Sequence, residues 1–373
     1  MIKCKSIVWR EQTDGSVKPF LEDIYVDDEP RAGEVFVKVI SSGLCHTDMT
    51  YAMFKAYGPS AMFGHEGCGI VQKVGAGVKS VKPGDKVVMS LQLSCGQCKS
   101  CMKGLTSHCE KYTIDAHMLH EDGTSPYMDM EGKPIMGGFG TSFTQYMTTL
   151  ESSVVKIDDD APDYAGVFSC GIQTGAGSVL HEFDPEPGDS IVVIGAGMVG
   201  LASIMAAKMR DMYPIIAVGS PRSPIKLEAA KKYGATHVIV NEPGTDLMAE
   251  ILKIVPGGVD FCLDTAGGTE IAPVAINCTN PKYGKTLLIG TSDLGAKMTL
   301  NCMDLMTGRF VGSTVIGKTN PHLFVPQLIR MWRDGHLPIE DCLSFYELED
   351  MEAAFEAFNS GKAIKVVINM PKE

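Results

Sequence analysis

Positive charge is what this chain has least of. Lysine and arginine number 33 against 45 aspartates and glutamates, giving a formal net charge of −12. An acidic chain has no bulk electrostatic reason to bind nucleic acid or anionic lipid, so neither is expected as a partner, while a local basic pocket is still allowed. The first residues, Met1-Ile-Lys-Cys-Lys-Ser-Ile-Val-Trp-Arg-Glu, return to charge before any apolar run can form. No secretory signal is therefore expected, and a cytoplasmic protein is. Short-period repeats and low-complexity tracts are missing as well. What remains is an ordinary globular balance, 45% hydrophobic and 21% charged, on 373 residues, a length that suggests about two domains.

One uncharged run, Ser190 to Ala207, approaches the length of a membrane span. Its glycines and its β-branched start, Ile191-Val192-Val193-Ile194, fit a buried strand, turn and helix better. The first third of the chain reads as short strands between Gly- and Pro-rich turns, among them Val35–Ile40, Gly69–Val74 and Lys86–Met89. From about residue 190 strands alternate with helices. Strands are expected at Ile191–Ile194, Ile215–Val218, His237–Val240, Asp260–Leu263 and Thr286–Ile289, and helices at Met198–Met212, Ile225–Tyr233, Leu247–Val255 and Thr269–Cys278. This alternation predicts a doubly wound parallel sheet. The tail reads as helices at Val325–Asp334 and Met351–Asn359 and a closing strand at Ile364–Asn369.

Twelve cysteines without a signal peptide point to metal or catalysis rather than a disulfide framework. Cys95-x2-Cys98-x2-Cys101-x7-Cys109 can close a tetrahedral thiolate shell around Zn²⁺ with no position left for water, a structural site. His108 beside it reads as a surface or pocket-wall residue. A second set is scattered: Cys45, His65 and Cys170. Two thiolates and one imidazole leave a fourth position open, as a catalytic zinc site requires. Asp48 and Glu66 adjoin these residues and are candidates to support them. The other six cysteines have no partner in the pattern.

The segment Gly195-Ala196-Gly197-Met198-Val199-Gly200 follows an expected strand and opens an expected helix. Gly195 permits a tight turn, Gly197 lets a pyrophosphate approach the backbone, and Gly200 lets helix and strand pack closely. The acidic residue that takes ribose hydroxyls at the end of the second strand is missing; Gly219-Ser220-Pro221-Arg222 stands there instead. Gly219 leaves space for a 2′-phosphate, which Ser220 and Arg222 can bind, so NADP(H) is expected over NAD(H).

Taken in order, these segments resemble the zinc-dependent alcohol dehydrogenases of the medium-chain dehydrogenase/reductase superfamily, along essentially the whole chain. The long stretch between Cys109 and Cys170 is most similar to the liver-type branch. The resemblance implies an α/β architecture: a GroES-like, β-rich catalytic domain (1–171 and 315–373) and a Rossmann domain with a doubly wound parallel sheet (172–314). It implies two Zn²⁺ per chain, with Cys45, His65 and Cys170 at the catalytic ion and Cys95, Cys98, Cys101 and Cys109 at the structural one. Thr47 matches the hydroxyl that takes the substrate proton. His46 and Lys365 match basic residues near the pyrophosphate, and Thr174 matches a residue beside the nicotinamide. Leu91, His108, Phe139, Thr291 and Thr314 match pocket walls.

Two departures stand out. Thr50 occupies the position of a frequent proton-relay histidine, and Lys365 replaces a more usual arginine. Gly137-Gly138 lies where a bulky side chain often narrows the pocket, so aromatic or terpenoid primary alcohols and aldehydes are expected as substrates. A homodimer is expected through the Rossmann domains, with the apolar stretch Phe310–Ile316 at a sheet edge. Two other readings compete: an NAD-dependent dehydrogenase of a glutathione–formaldehyde adduct, disfavoured by the missing acid, and a zinc- and nucleotide-binding scaffold without turnover, disfavoured by the complete set Cys45, His65, Cys170 and Thr47.

Overall fold

In the computed structural model, residues 1–54, 58–112, 120, 122–137, 140–290 and 295–371 are described. The chain forms two compact units. One comprises Met1–Cys170, Asn320–Arg330 and Leu343–Glu373; the other comprises Gly171–Thr319 and Met331–Cys342. The chain therefore returns to the first unit later than residue 315, where the sequence placed it. Thr319 stays with the second unit because its hydroxyl accepts from Gln173 Nε2 at 2.8 Å. Met331–Cys342 stays there too, through a Cys342–Tyr233 hydrogen bond of 3.5 Å and a Lys232–Asp341 ion pair.

The first unit contains a closed barrel and a seven-stranded sheet. The barrel is built from Ile2–Glu11, Val17–Val26, Tyr127–Met128, Pro134–Gly137 and Ser60–Met62. In the sheet, the strand Glu34–Gly43 is central, flanked by Glu66–Val74 and Lys365–Asn369 and also paired with Tyr146–Leu150. Its residues Val35, Phe36, Val37 and Val39 are all buried, the pattern of a strand covered on both faces. Trp9 anchors the core, with ring centroids 5.2 Å from Phe63 and 5.8 Å from Phe355 of the helix Met351–Asn359.

The second unit is a six-stranded parallel sheet. Its order is His237–Val240, Ile215–Gly219, Ile191–Ile194, Phe261–Asp264, Lys285–Leu288 and Phe310–Gly312. The order reverses between the third and fourth of these strands, which makes the end of Ile191–Ile194 the topological switch point. The helix expected to reach Met212 stops at Met209, because Asp211 turns the chain at φ +53°. The helix expected from Val325 starts at Pro321, where Asn320 Oδ1 caps it by accepting from His322 N at 3.1 Å, and it runs through Pro326. The uncharged run Ser190–Ala207 is a strand, a turn and a helix, and no helix among the described residues is long and apolar enough to cross a membrane.

Candidate functional site

Three stretches of the first unit bring the scattered set together. The strand Glu34–Gly43 ends, Cys45 takes extended backbone, and the helix His46–Met53 begins directly after it. This places Asp48 in the first helical turn, where its Oδ1 accepts from Gly64 N at 3.1 Å and meets His65 Nδ1 at 2.8 Å. Gly64 has φ +109°, and a Cβ there would lie 2.7 Å from Phe143 N, so only glycine fits beside the histidine. With Asp48 on Nδ1, Nε2 is the ring nitrogen presented as a ligand. Cys170 follows a short 3-10 turn over Ala165–Ser169. Ligand atoms of Cys45, His65, Glu66 and Cys170 all lie within 4.8 Å of one another.

The geometry fits a metal. Cys45 Sγ and Cys170 Sγ are 3.9 Å apart, and two sulfurs bound tetrahedrally at the usual zinc distance lie about 3.8 Å apart. The Sγ–Sγ hydrogen bond draws the Cys45 thiol down and pushes Cys170 up. Burial opposes charge on His65, but the Asp48 carboxylate and Cys45 outweigh it and raise its pKa. Thr47 Oγ1 sits 3.7 Å from Cys45 Sγ.

Beneath this cluster lies a charge pair created by strand register. Gly43 stands across from Glu66 on one neighbouring strand and from Val367 on the other. Lys365, two residues before Val367, shares its face. Lys365 Nζ therefore meets the Glu66 carboxylate over Gly43 and donates to Leu44 O at 2.8 Å. A side chain at Gly43 would strike that carboxylate. Burial raises Glu66 to about 7 against the pull of Lys365. Lys365, expected at a pyrophosphate, is thus engaged with Glu66, while His46 is exposed and its ring lies 4.4 Å from that of Phe358.

The four-cysteine loop forms a second cluster, again with all sulfurs within 4.8 Å, and Cys98 and Cys109 are 4.0 Å apart. Backbone amides converge on the sulfurs. Cys98 N donates to Cys95 at 3.3 Å, Cys101 N and Glu110 N donate to Cys98 at 3.5 and 3.4 Å, and Cys95 N donates to Cys109 at 3.4 Å. The amides lower the Cys98 thiol to about 6, whereas burial pushes Cys101 up to about 12. Four converging sulfurs with amide support are the donor set of a closed zinc site.

In the second unit, Gly195 has φ +99° and turns the chain at the switch point. A Cβ on Gly200 would strike Gly195 O, whereas nothing lies within 4 Å of one on Gly197. The space above Gly197, at the start of the helix Met198–Met209, is thus open to a phosphate on that helix's free amides. The strand expected over Ile215–Val218 runs one residue further, to Gly219, where a Cβ would meet the Leu227 side chain. Ser220 and Arg222 are exposed, and Ser220 Oγ accepts from Arg222 N at 3.2 Å.

Residues 31–159 match the family model described as alcohol dehydrogenase GroES-like domain, and residues 198–330 the one described as zinc-binding dehydrogenase. An S-(hydroxymethyl)glutathione dehydrogenase of Komagataella pastoris is 33% identical over 99% of this chain and 98% of its own. One from Paracoccus denitrificans is 32% identical over 91% of this chain and 93% of its own. Benzyl alcohol dehydrogenase from Acinetobacter calcoaceticus superposes with a TM-score of 0.90 at 30% identity, covering 100% of both chains. The chain belongs to the zinc-dependent alcohol dehydrogenases. Its fold is the GroES-like domain plus Rossmann-like sheet of the medium-chain dehydrogenase/reductases, and family membership brings zinc and a nicotinamide cofactor.

Of the residues expected at the dehydrogenase's substrate pocket, Leu91 packs against the first unit's core, His108 is exposed with Nδ1 3.0 Å from Ser107 Oγ, and Thr314 is buried in the second unit. Phe139 and Thr291, like Gly138, lie outside the described residues. Thr174 is buried in the helix Gly171–Gly177. Sequence reasoning missed three features. The first is the meeting of Glu66 and Lys365, residues 299 positions apart in sequence. The second is Asp264, buried at its strand end, whose carboxylate accepts from Ala266 N and Gly267 N at 3.0 Å each; the Gly267-Gly268 pair that follows was its visible signal. The third is Thr265, whose Oγ1 donates to Gly195 O at 3.1 Å and ties the glycine turn to the next strand.

Two zinc ions per chain with unequal roles are expected. Cys98→Ser should leave one ion by elemental analysis and lower the melting temperature, because a metal shell is broken. His65→Ala should keep the structural ion and lose turnover. Active protein carrying a single ion would contradict the assignment.

Proposed function

We propose that this dehydrogenase interconverts bulky primary alcohols and aldehydes, aromatic or terpenoid, using NADP(H). The observation that carries the catalytic reading is the convergence of Cys45, His65 and Cys170 with Thr47 beside them. Zinc supplies Lewis acidity at the alcohol oxygen, and the nicotinamide accepts hydride. Thr47 receives the alcohol proton through its hydroxyl. Asp48 keeps His65 in the orientation and tautomer that presents Nε2. With Thr50 in place of a relay histidine, the proton leaves through solvent. Glu66 and Lys365 neutralise each other below the thiolates, so the two sulfurs carry the charge that balances the ion.

The NADP reading rests on Gly219 and Arg222. No carboxylate stands at the strand end to repel a 2′-phosphate, and the exposed guanidinium two residues past Ser220 can grip it. The relatives named S-(hydroxymethyl)glutathione dehydrogenase favour a second reading, in which the substrate is the formaldehyde–glutathione adduct. The chain is further proposed to act as a cytoplasmic homodimer through the strand Phe310–Gly312, which lies at the sheet edge with Phe310 68% exposed.

Three measurements bear on this. With one aldehyde, kcat/KM should be higher for NADPH than NADH, and Arg222→Ala should reduce that ratio roughly tenfold, the value of one charge-assisted hydrogen bond. A wild-type preference for NADH would reject the 2′-phosphate site. Benzyl-type or terpenoid aldehydes should exceed acetaldehyde in kcat/KM by roughly tenfold or more, since burying a ring contributes about 2 kcal/mol. Faster turnover of the formaldehyde–glutathione adduct than of either would instead favour the second reading. Sedimentation velocity should give a dimer; a monomer or tetramer independent of concentration would refute the edge-strand interface.

A further inference from the structure

Cys170 is followed at once by the helix Gly171–Gly177, and that helix lies against Met198–Met209, which the glycine turn opens. The two backbones meet without side chains between them. A Cβ on Gly175 would strike Val199 O and lie 3.0 Å from both Ala202 Cβ and Ser203 N. A Cβ on Gly171 would lie 3.6 Å from Met198 Cβ and 3.7 Å from Val199 Cγ2. The residue next to a metal ligand thus faces the first two residues of the helix on the nucleotide side. Surfaces packed this closely transmit small shifts rather than absorb them.

A hydroxyl fastens the crossing. Ser203 is fully buried, and its Oγ lies 2.8 Å from Val199 O and 3.2 Å from Gly175 O. Both oxygens only accept, so one hydroxyl proton is shared between a carbonyl of each helix. The bond to Val199 O, four residues back, is the local habit of a helical serine and slightly destabilises a helix. Alanine would suit a buried helix interior better. The bond to Gly175 O is what the serine adds, because it ties two helices across 28 positions of sequence.

The winding of the first helix shows why that carbonyl draws a donor from outside. After Gly177 the chain widens into a π-helical turn, Ser178–Phe183. Such turns interrupt the regular ladder of amide bonds and occur often at functional sites. Side-chain hydroxyls serve carbonyls just ahead of the change: Ser178 Oγ donates to Thr174 O at 2.6 Å, and Ser203 Oγ reaches Gly175 O. The segment leading away from Cys170 is therefore fixed to Met198–Met209 before its winding loosens. A shift of the nucleotide-side helix passes back toward Gly171 and Cys170.

We propose, on the reading that this unit binds a nicotinamide dinucleotide, that Ser203 and Gly175 are positioning residues coupling the glycine turn to Cys170. A pyrophosphate on the free amides that open Met198–Met209 then alters the geometry of the sulfurs around the metal. Coupling of this kind is reciprocal, so the metal changes nucleotide affinity by the same factor.

The test uses ADP-ribose and 2′-phospho-ADP-ribose, which carry the pyrophosphate but no nicotinamide ring. With Co²⁺ at the catalytic site and zinc at the structural one, visible absorption reports the geometry of the thiolates. Saturating ligand should shift the cobalt bands of the wild type. Ser203→Ala keeps the close approach and removes the hydroxyl, and it should show less than about half of that shift. By calorimetry, removing the cobalt should change wild-type affinity for the bound ligand roughly three- to tenfold, the scale of one hydrogen bond. Ser203→Ala should bring that ratio to within about twofold of one. Ser203→Cys keeps the volume and weakens the donor, so the same losses are expected of it and the comparison does not depend on one variant folding. A serine that only stabilises the fold would lower the melting temperature and leave shift and ratio at their wild-type values. That result, or a wild type showing neither shift nor ratio, would overturn the proposal while leaving nucleotide binding intact. A wild type that binds neither ligand would overturn the dinucleotide reading and this inference with it.

Discussion

The hydrogen bond from His65 Nδ1 to Asp48 joins the two chain segments on which the Cys45–His65–Cys170 cluster depends. Asp48 belongs to the helix that Cys45 begins, and His65 to the stretch entering the next strand. By accepting from both Gly64 N and His65 Nδ1, one carboxylate sets the distance between a sulfur ligand and a nitrogen ligand. It also decides which ring nitrogen faces the sulfurs. The carboxylate is fully buried, where burial raises its pKa and the histidine opposes that shift. Removing either partner strands the other without water, so the pair constrains the site more tightly than an exposed pair would.

A second buried pair, Glu66 with Lys365, acts on the same site from below. It joins strands on either side of Glu34–Gly43, and the last strand of the chain thereby becomes part of the floor beneath the cysteine–histidine cluster. Two acids and two bases, Asp48 with His65 and Glu66 with Lys365, lie close to two thiols, so each charge has a named counter-charge. Such an arrangement pairs its buried charges with one another rather than with solvent.

Local chemistry was legible in the chain and register was not. Four cysteines within fifteen positions announce a metal loop because the loop itself closes the shell. The glycine turn is legible because each glycine answers a local demand: φ +99° at Gly195, contact with Gly195 O at Gly200. The scattered ligands were grouped by donor chemistry and by resemblance alone, since nothing local ties Cys45 to Cys170. The role of Gly43 was invisible, because it depends on which residues two neighbouring strands place across from it. Helix ends erred where capping decided them, at Asn320 and at left-handed Asp211.

The contact between Gly219 and Leu227 bears on how the nucleotide pocket can evolve. Any side chain at 219 must first displace a core leucine from the helix Pro224–Tyr233. An acid that could accept ribose hydroxyls is therefore not one substitution away in stability terms. The leucine has to shrink first, leaving a cavity, or yield afterwards, under strain. Either order passes through a less stable intermediate, so glycine at this strand end is entrenched by packing.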